Sequence, residues 1–353
     1  MLNDNQRKIV EAKENYIVVN ASAASGKTRV LTERVKYLLN NGVLPENIVM
    51  ITFTNAAAYE MAKRIGADAE RMFIGTVHSF ANRCLRGAGI NTDALIAEEN
   101  FDGLLEQIKR NPSCVGPVEH LLLDEAQDSS EAQFYFILSV IKPKNYMFVG
   151  DVKQAIYDFS GGRADIFEGL TKEPNVKVYD LNENYRNSYA VLDYARGIIE
   201  EDYYDNSIAR TNEYGDVIFI NDDAQDIARL IKYSDDAYNE WFVLTRSNAQ
   251  LDEIYQGLTF NGIPCDSFKR AELSSDELIK KMAENTVKVL TIHTAKGLEC
   301  KNVVVIGANR RTLGERRVSY VAATRAISTL YWAKGKRKKA KNKTNIFDNV
   351  VQW

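Results

Sequence analysis

Short apolar runs rich in β-branched residues alternate along this chain with longer stretches whose apolar residues recur every three or four positions. That alternation predicts βα units and parallel sheets, because a strand buried on both faces reads as a continuous apolar run. The first half offers YIVVN (16–20), IVMITF (48–53), MFIGT (72–76), EHLLLD (119–124) and YMFVG (146–150). A second set follows: VKVYDL (176–181), VIFIN (217–221), WFVLT (241–245), VKVLTIH (287–293), NVVVIG (302–307) and TLYWA (329–333). Two separate parallel sheets are the natural reading, with the changeover near Pro174. The expected lobes are 1–175 and 176–353.

Composition agrees with two lobes. At 353 residues and 45% hydrophobic, the chain carries apolar material for two ordinary cores. No run is long enough to span a membrane, and MLNDNQRKIV has neither the basic start nor the apolar stretch of a signal peptide. A soluble, cytoplasmic protein is the expectation. Cys84, Cys114, Cys265 and Cys300 stand far apart without a CxxC pair, which suggests reduced structural thiols and no zinc site. The net charge of −3 gives no global attraction to nucleic acid, so any such binding must come from a local patch. The one basic run, KGKRKKAKNK (334–343), reads equally as a solvated tail or as a phosphate contact.

Candidate chemistry begins at ASAASGKT (21–28), which follows a strand and precedes the helical stretch RVLTERVKYLL. This is the setting of a phosphate-binding loop. Backbone N–H groups from Ala21, Ser22, Ala23, Ala24, Ser25 and Gly26 would surround phosphate oxygens, Lys27 would neutralise their charge, and Thr28 would ligate Mg²⁺. The general pattern has glycine where Ala21 stands. A second element, LLLDEAQD (121–128), ends an apolar strand in adjacent carboxylates. Asp124 suits a role in holding Mg²⁺ through its water shell, and Glu125 a role in polarising an attacking water. Taken alone, either segment could be an ordinary loop; together they point to ATP with Mg²⁺.

With these two elements in place, the chain resembles the UvrD/Rep family of superfamily 1 helicases, in motif order and over almost its whole length. LNDNQ (2–6) resembles the Q motif, ITFTNAAAYEMAKRI (51–65) motif Ia, and GTVHSF (75–80) the segment after it. DEAQD resembles motif II, VGDVKQAIYDFSGG (149–162) motif III and LNENYR (181–186) motif IV. VKVLTIHTAKGLE (287–299) is similar to motif V and RRVSYVAATRA (316–326) to motif VI. The resemblance implies two RecA-like P-loop lobes of α/β fold with ATP in the cleft between them, and movement 3′ to 5′ on single-stranded DNA. It also implies roles. Gln6 would contact the adenine edge, Arg29 and Tyr185 would sandwich the base, Glu299 would receive the ribose hydroxyl, and Gly297 would belong to the nucleotide site. Gln154 would sense the γ-phosphate, while Arg186 and Arg325 would act as arginine fingers. Phe53, Thr54, Asn55, His78, Tyr157, Phe159 and His293 would contact DNA; for Phe53 and Phe159 core burial is the competing reading.

Three departures matter. Phe159, Ser160 and Gly161 stand where most relatives carry Trp-Arg-Gly, with Arg163 nearby as a substitute cation. Ser22 and Ala24 add bulk where relatives favour glycine. The intervals 87–117 and 266–286, where relatives place the 1B and 2B accessory domains, are too short for independent domains. A minimal motor is therefore expected, one that unwinds poorly without a protein partner and whose partners are single-stranded DNA and, further, duplex or fork DNA. A competing function is a DNA-stimulated ATPase subunit that remodels protein–DNA complexes in repair, recombination or defence. A P-loop kinase or GTPase would leave motifs V and VI without a purpose.

Overall fold

The structure, a computed structural model, describes residues 2–268 and 280–334. It holds two six-stranded parallel sheets and one two-stranded pair. In the first sheet the strands are β1 (Tyr16–Ala21), β2 (Ile48–Ile51), β3 (Phe73–Gly75), β4 (His120–Leu123), β5 (Asn145–Gly150) and β6 (Lys177–Leu181), in the order β3-β2-β4-β5-β1-β6. The small pair joins β7 (Glu183–Asn184) to β8 (Ile208–Ala209). The second sheet contains β9 (Asp216–Asn221), β10 (Trp241–Thr245), β11 (Cys265–Phe268), β12 (Val287–Thr291), β13 (Cys300–Val305) and β14 (Ala326–Lys334), in the order β11-β12-β10-β13-β14-β9.

Each sheet is apolar on both faces because helices cover both. On one face of the first sheet, Val18, Val49, Leu121 and Phe148 pack with Phe80, Leu85, Leu104 and Ile108. On the other, Ile17, Val19, Met50 and Met147 pack with Ile9, Val30, Val35 and Met61. The helices that matter for the site are α1 (Asp4–Val10), α2 (Lys27–Asn40), α3 (Asn55–Ile65), α4 (Val77–Gly87), α5 (Asp93–Ala97) and α6 (Phe101–Arg110). In the second lobe, Phe242, Leu290 and Val303 form one core with the helices Tyr189–Ile199 and Leu313–Ala323, and Ala23, Ile156 and Tyr157 of the first lobe join it. The lobes thus share apolar packing as well as polar contacts. The fold is α/β with two RecA-like lobes.

One strand belongs elsewhere than the sequence pattern suggested. Residues 176–181, expected in the second set, place β6 beside β1 with Ile17 opposite Lys177 and Ala21 opposite Leu181. The chain therefore crosses to the second lobe after Leu181 rather than near Pro174. The physical reason is that a short edge strand, only partly buried, fits either sheet, so its own pattern cannot choose. The interval 87–117 forms α5 and α6, with Leu104, Leu105 and Ile108 buried against the first lobe. Residues 269–279 of the second short interval, and the basic run from residue 335 onward, lie outside the described residues. Among the described residues no helix is long and apolar enough to cross a membrane.

Gly215 leads into β9 with φ +67, and a Cβ there would sit 2.0 Å from Ser188 Oγ and 2.3 Å from the Ser328 carbonyl oxygen. Gly89 has φ +79 with nothing within 4 Å. Gly215→Ala should destabilise the fold by well over about 1 kcal/mol, and Gly89→Ala by visibly less, in urea unfolding. Equal midpoints for the two variants would contradict the packing described at Gly215.

Candidate functional site

The parallel order sets β4, β5 and β1 side by side, so the loops leaving their C-terminal ends meet. The loop after β1 opens α2, whose first residue is Lys27 and whose N-cap is Gly26 at φ 86. Ala24 is left-handed as well, at φ 56. The loop is held from behind by the segment after β6: Ser22 N donates to the Leu181 carbonyl at 2.9 Å, Asn184 Nδ2 to Ala23 O at 3.0 Å, and Tyr185 N to Ala24 O at 3.1 Å. Inside it, the buried Ser25 hydroxyl has no hydrogen-bond partner. A helix N-terminus preceded by a curved run of peptides is an anion-binding geometry.

Opposite stand the carboxylates after β4. Asp124 is buried, and Glu125 is left-handed at φ 50, a conformation that costs energy for a non-glycine residue. Lys27 Nζ lies 3.2 Å from Glu125 Oε1. Gln127 Nε2 donates to Glu125 Oε2 at 2.6 Å and to Asp128 Oδ2 at 3.1 Å, while its carbonyl accepts from Asp151 N at 2.9 Å. Burial, reinforced by the neighbouring Glu125 charge, raises the Asp124 pKa. Burial would raise Glu125 too, but Lys27 and then Lys296 outweigh it and hold that carboxylate ionised. Burial would strip Lys27 of its proton, yet Glu125, Asp151 and Asp124 together raise its pKa instead.

The second lobe closes the site. From the loop after β12, Lys296 forms an ion pair with Asp128, donates to the Gln154 carbonyl at 2.7 Å, and stands 4.0 Å from Glu125 Oε2. Arg325, fully buried, donates to Gln154 Oε1 at 3.3 Å, Leu298 O at 3.1 Å and Val321 O at 2.9 Å. Burial and the like charge of Arg186 bring its pKa down to about 9, which leaves it charged at neutral pH. Gln154 in turn donates to Asp151 Oδ2 at 2.7 Å. Gln154 thus links a first-lobe carboxylate to a second-lobe guanidinium. Lys296 was not among the residues expected here; the available signal was a lysine beside glycine in TAKGLE, directly after a buried strand. Lys153 was missed as well: its ammonium donates to Ser22 Oγ at 3.2 Å and to Asp205 at 3.4 Å, tying the phosphate-type loop to the segment leading into the second lobe.

Other expected residues sit behind the loop, on its rim and in the second lobe. Gln6, expected at a base edge, is buried, and its amide donates to Ser25 O at 3.1 Å and accepts from Asn3 N at 3.2 Å. It therefore braces the loop: a Cβ on Gly26 would meet Gln6 Nε2 at 2.9 Å. Tyr185 is 47% exposed on the rim, accepts from Asn3 Nδ2 at 2.6 Å and hydrogen-bonds Glu183, and Arg29 is exposed on α2. Arg186 is held within its own lobe by an ion pair to Glu299 and a 3.3 Å bond to Thr324 O. Gly297 is exposed at φ +88, and Thr28 lies in the first turn of α2.

A row of rings marks the lobe junction beyond these charges. Phe53 packs on Tyr157 at 4.6 Å between centroids, Tyr157 lies 5.9 Å from Phe159, and Phe159 meets His293 edge-on at 5.3 Å. Tyr157, expected to offer a face to DNA, is only 4% exposed and donates its hydroxyl to the His293 carbonyl at 3.2 Å. It is an interface residue in this arrangement, because its ring fills the core that both lobes share. Phe159 is 71% exposed, so core burial does not describe it, and Phe53 is half-buried. Thr54 caps α3 by accepting from Ala57 N at 3.2 Å, Asn55 begins that helix, and His78 sits in the first turn of α4.

Comparison with known proteins agrees with this geometry. The sequence model of the UvrD/REP helicase N-terminal domain matches residues 2–111 and 104–175, and that of the UvrD-like helicase C-terminal domain matches 179–283 and 266–336. Each match breaks within one of the two short intervals. A probable DNA helicase of Mycoplasma pneumoniae is 25% identical, over 94% of this chain and 82% of its own length. The ATP-dependent DNA helicase srs2 of Schizosaccharomyces pombe is 24% identical, over 74% of this chain and 43% of its own length. The ATP-dependent DNA helicase PcrA of Leuconostoc citreum is 27% identical, over 74% and 49%. The chain thus spans about half the length of the latter two relatives. Paired domain matches covering both lobes, over a P-loop and a carboxylate pair closed by second-lobe cations, place this chain in the UvrD/Rep family of superfamily 1 helicases.

Proposed function

We propose that this chain is an ATP-driven motor that steps 3′ to 5′ along single-stranded DNA, hydrolysing ATP between its two lobes. The observation that carries the reading is convergence: Lys296 and Arg325 of the second lobe reach Asp128 and Gln154 of the first, beside Lys27 and Glu125. In this reading the loop 21–28 receives the phosphates through backbone N–H groups and Lys27. Glu125, kept ionised by its two lysines, orients and polarises the attacking water. Gln154 passes the state of the γ-phosphate to Arg325. Arg186 leaves Glu299 for the phosphates when nucleotide occupies the cleft, and Glu299 is then released toward the ribose. Tyr185 and Arg29 flank the adenine from the rim, and Gln6 acts through the loop it braces.

The hydroxyl and carboxylate oxygens of Thr28 and Asp124 suit Mg²⁺, which is held through one or two protein oxygens together with phosphate oxygens and water. Among the described residues no group of three or more His, Cys, Asp or Glu could hold a metal by itself. Bound there, the ion would neutralise charge on the phosphates.

For DNA, Phe53, Phe159 and His293 offer rings at the lobe junction, Asn55 and His78 line the first-lobe cleft with Thr54 capping the helix beside them, and Tyr157 holds the two sides together. The helical pair α5–α6 is too small for a duplex-engaging domain. We therefore infer translocation with weak unaided unwinding, a protein partner supplying the missing contact to duplex or fork. Efficient strand displacement on a long duplex by the protein alone would overturn that part.

Three outcomes check the site. Steady-state hydrolysis with Mg²⁺ should rise strongly with long single-stranded DNA and vanish in Lys27→Ala; hydrolysis indifferent to DNA would remove the motor reading. Arg325→Ala should slow turnover by about 10³-fold or more with a smaller change in ATP affinity, as expected for a transition-state contact. The third concerns cost. Because burial and Glu125 raise the Asp124 pKa, its ionisation in the folded state is unfavourable relative to the unfolded chain. Stability is then lost as pH rises above the ordinary carboxylate range near about 4. Asp124→Asn should abolish turnover yet gain thermal stability over wild type, by a margin that widens from pH 4 toward neutrality. A margin independent of pH would contradict the assigned cause.

A further inference from the structure

A cleft of about 1270 Å³ lies in the first lobe and runs from Phe53 and Ser160 past His78 to Phe101. Phe101 belongs to the short interval 87–117, outside every motif that led to the family. It is 43% exposed although phenylalanine has no polar atom to solvate, and its ring lies 5.3 Å from that of His78, tilted by 32°. Its helix is anchored in the lobe core. Phe101 is the first residue of α6, where Asn100 caps the helix by accepting from Gly103 N at 2.9 Å. One turn further on, Leu104 and Leu105 are buried in the lobe core with Val77 and Phe80 of α4, the helix that carries His78.

The charge around this pair is of one sign. Glu99, Asp102, Glu106 and Glu131 line the same cleft. Arg163, the one lysine or arginine among its described lining residues, is paired with Asp165 at 2.8 Å and Glu131 at 2.9 Å. Burial lowers the His78 pKa against the opposing pull of Asp102, which favours the uncharged ring. A phosphodiester backbone gains nothing from such a wall. A nucleobase does, since its flat face stacks on aromatic rings and carries no net charge.

We propose that Phe101, with His78, is a base-stacking platform for single-stranded nucleic acid, extending the row Phe53–Phe159–His293 along the first lobe with bases facing the cleft and phosphates turned away. This rests on the DNA reading above and adds to it a contact supplied by the segment that stands where relatives insert a domain. It gives a segment too small to be a domain a specific use: lengthening the strand's grip on the first lobe.

The test compares binding of fluorescent oligothymidylate and of an abasic oligonucleotide of equal length, across a salt series, in wild type, Phe101→Ala, Phe101→Leu, Phe101→Trp and Phe53→Ala. The expected result is a loss of about tenfold in oligothymidylate affinity for Phe101→Ala and Phe101→Leu, as for one lost stacking contact. Phe101→Trp should restore it and show tryptophan quenching on binding. The abasic affinity and the salt slope should stay unchanged, because neither reads base stacking. Basal hydrolysis without DNA should also stay unchanged in the Phe101 variants, which reports an intact fold. If Phe53→Ala weakens binding while Phe101→Ala and Phe101→Leu do not, the platform is overturned and the motor reading stands. Recovery by leucine as good as by tryptophan would reduce Phe101 to a packing residue and likewise overturn it. Failure of the wild type to bind either oligonucleotide would remove the motor reading and the platform together.

Discussion

One lysine from the second lobe, closed on carboxylates of the first, is the contact on which the rest of the site depends. Lys296 is almost wholly buried, and so is Asp128, its ion-pair partner. A buried ion pair has little net value over an apolar replacement, but removing one partner leaves an uncompensated charge that costs about 3–5 kcal/mol. The pair therefore acts mainly as a specification of geometry. It requires the loop after β12 to meet the loop after β4, and the Gln154 carbonyl accepts a further Lys296 proton at 2.7 Å. Glu125, Gln127, Asp151 and Gln154 then follow as a connected network that ends on Arg325. Separation of the lobes would remove the Lys296 and Arg325 ends of this network together while leaving its first-lobe bonds in place.

The same site carries conformational and electrostatic costs. Glu125 and Ala24 adopt left-handed backbone without being glycine, and Asp124 is buried beside a second carboxylate. Strain of this kind persists when the surroundings over-determine it. Here the surroundings are two sheets with apolar residues on both faces, and the core shared through Ala23, Ile156 and Tyr157.

How much of this was legible in the sequence depends on whether the signal was local. The strand runs and the loop 21–28 were, because β-branched periodicity and a helix-opening SGKT act within a dozen residues. The membership of β6 was not, because alternation specifies a face and leaves the choice of sheet to tertiary pairing. Tyr157 and Phe159 stand two residues apart in one motif, yet one is interface core and the other solvent-exposed. Residue type gave their chemistry, while the turn at Asp158–Ser160 decided their facing. Lys296 escaped notice because its partners lie 168 and 142 residues away, and a charge whose meaning is a distant carboxylate has no local pattern.

The central claim, that the two lobes share one charged cluster and hydrolyse ATP through it, is tested most directly by a double-mutant cycle. Turnover with saturating ATP and single-stranded DNA would be measured in wild type, Lys296→Ala, Asp128→Asn and the double variant. The account predicts that the second substitution adds little once the first is made, a coupling of at least about 1 kcal/mol. Fully additive losses would mean that Lys296 and Asp128 act independently, and the cluster would then not be the link between the lobes.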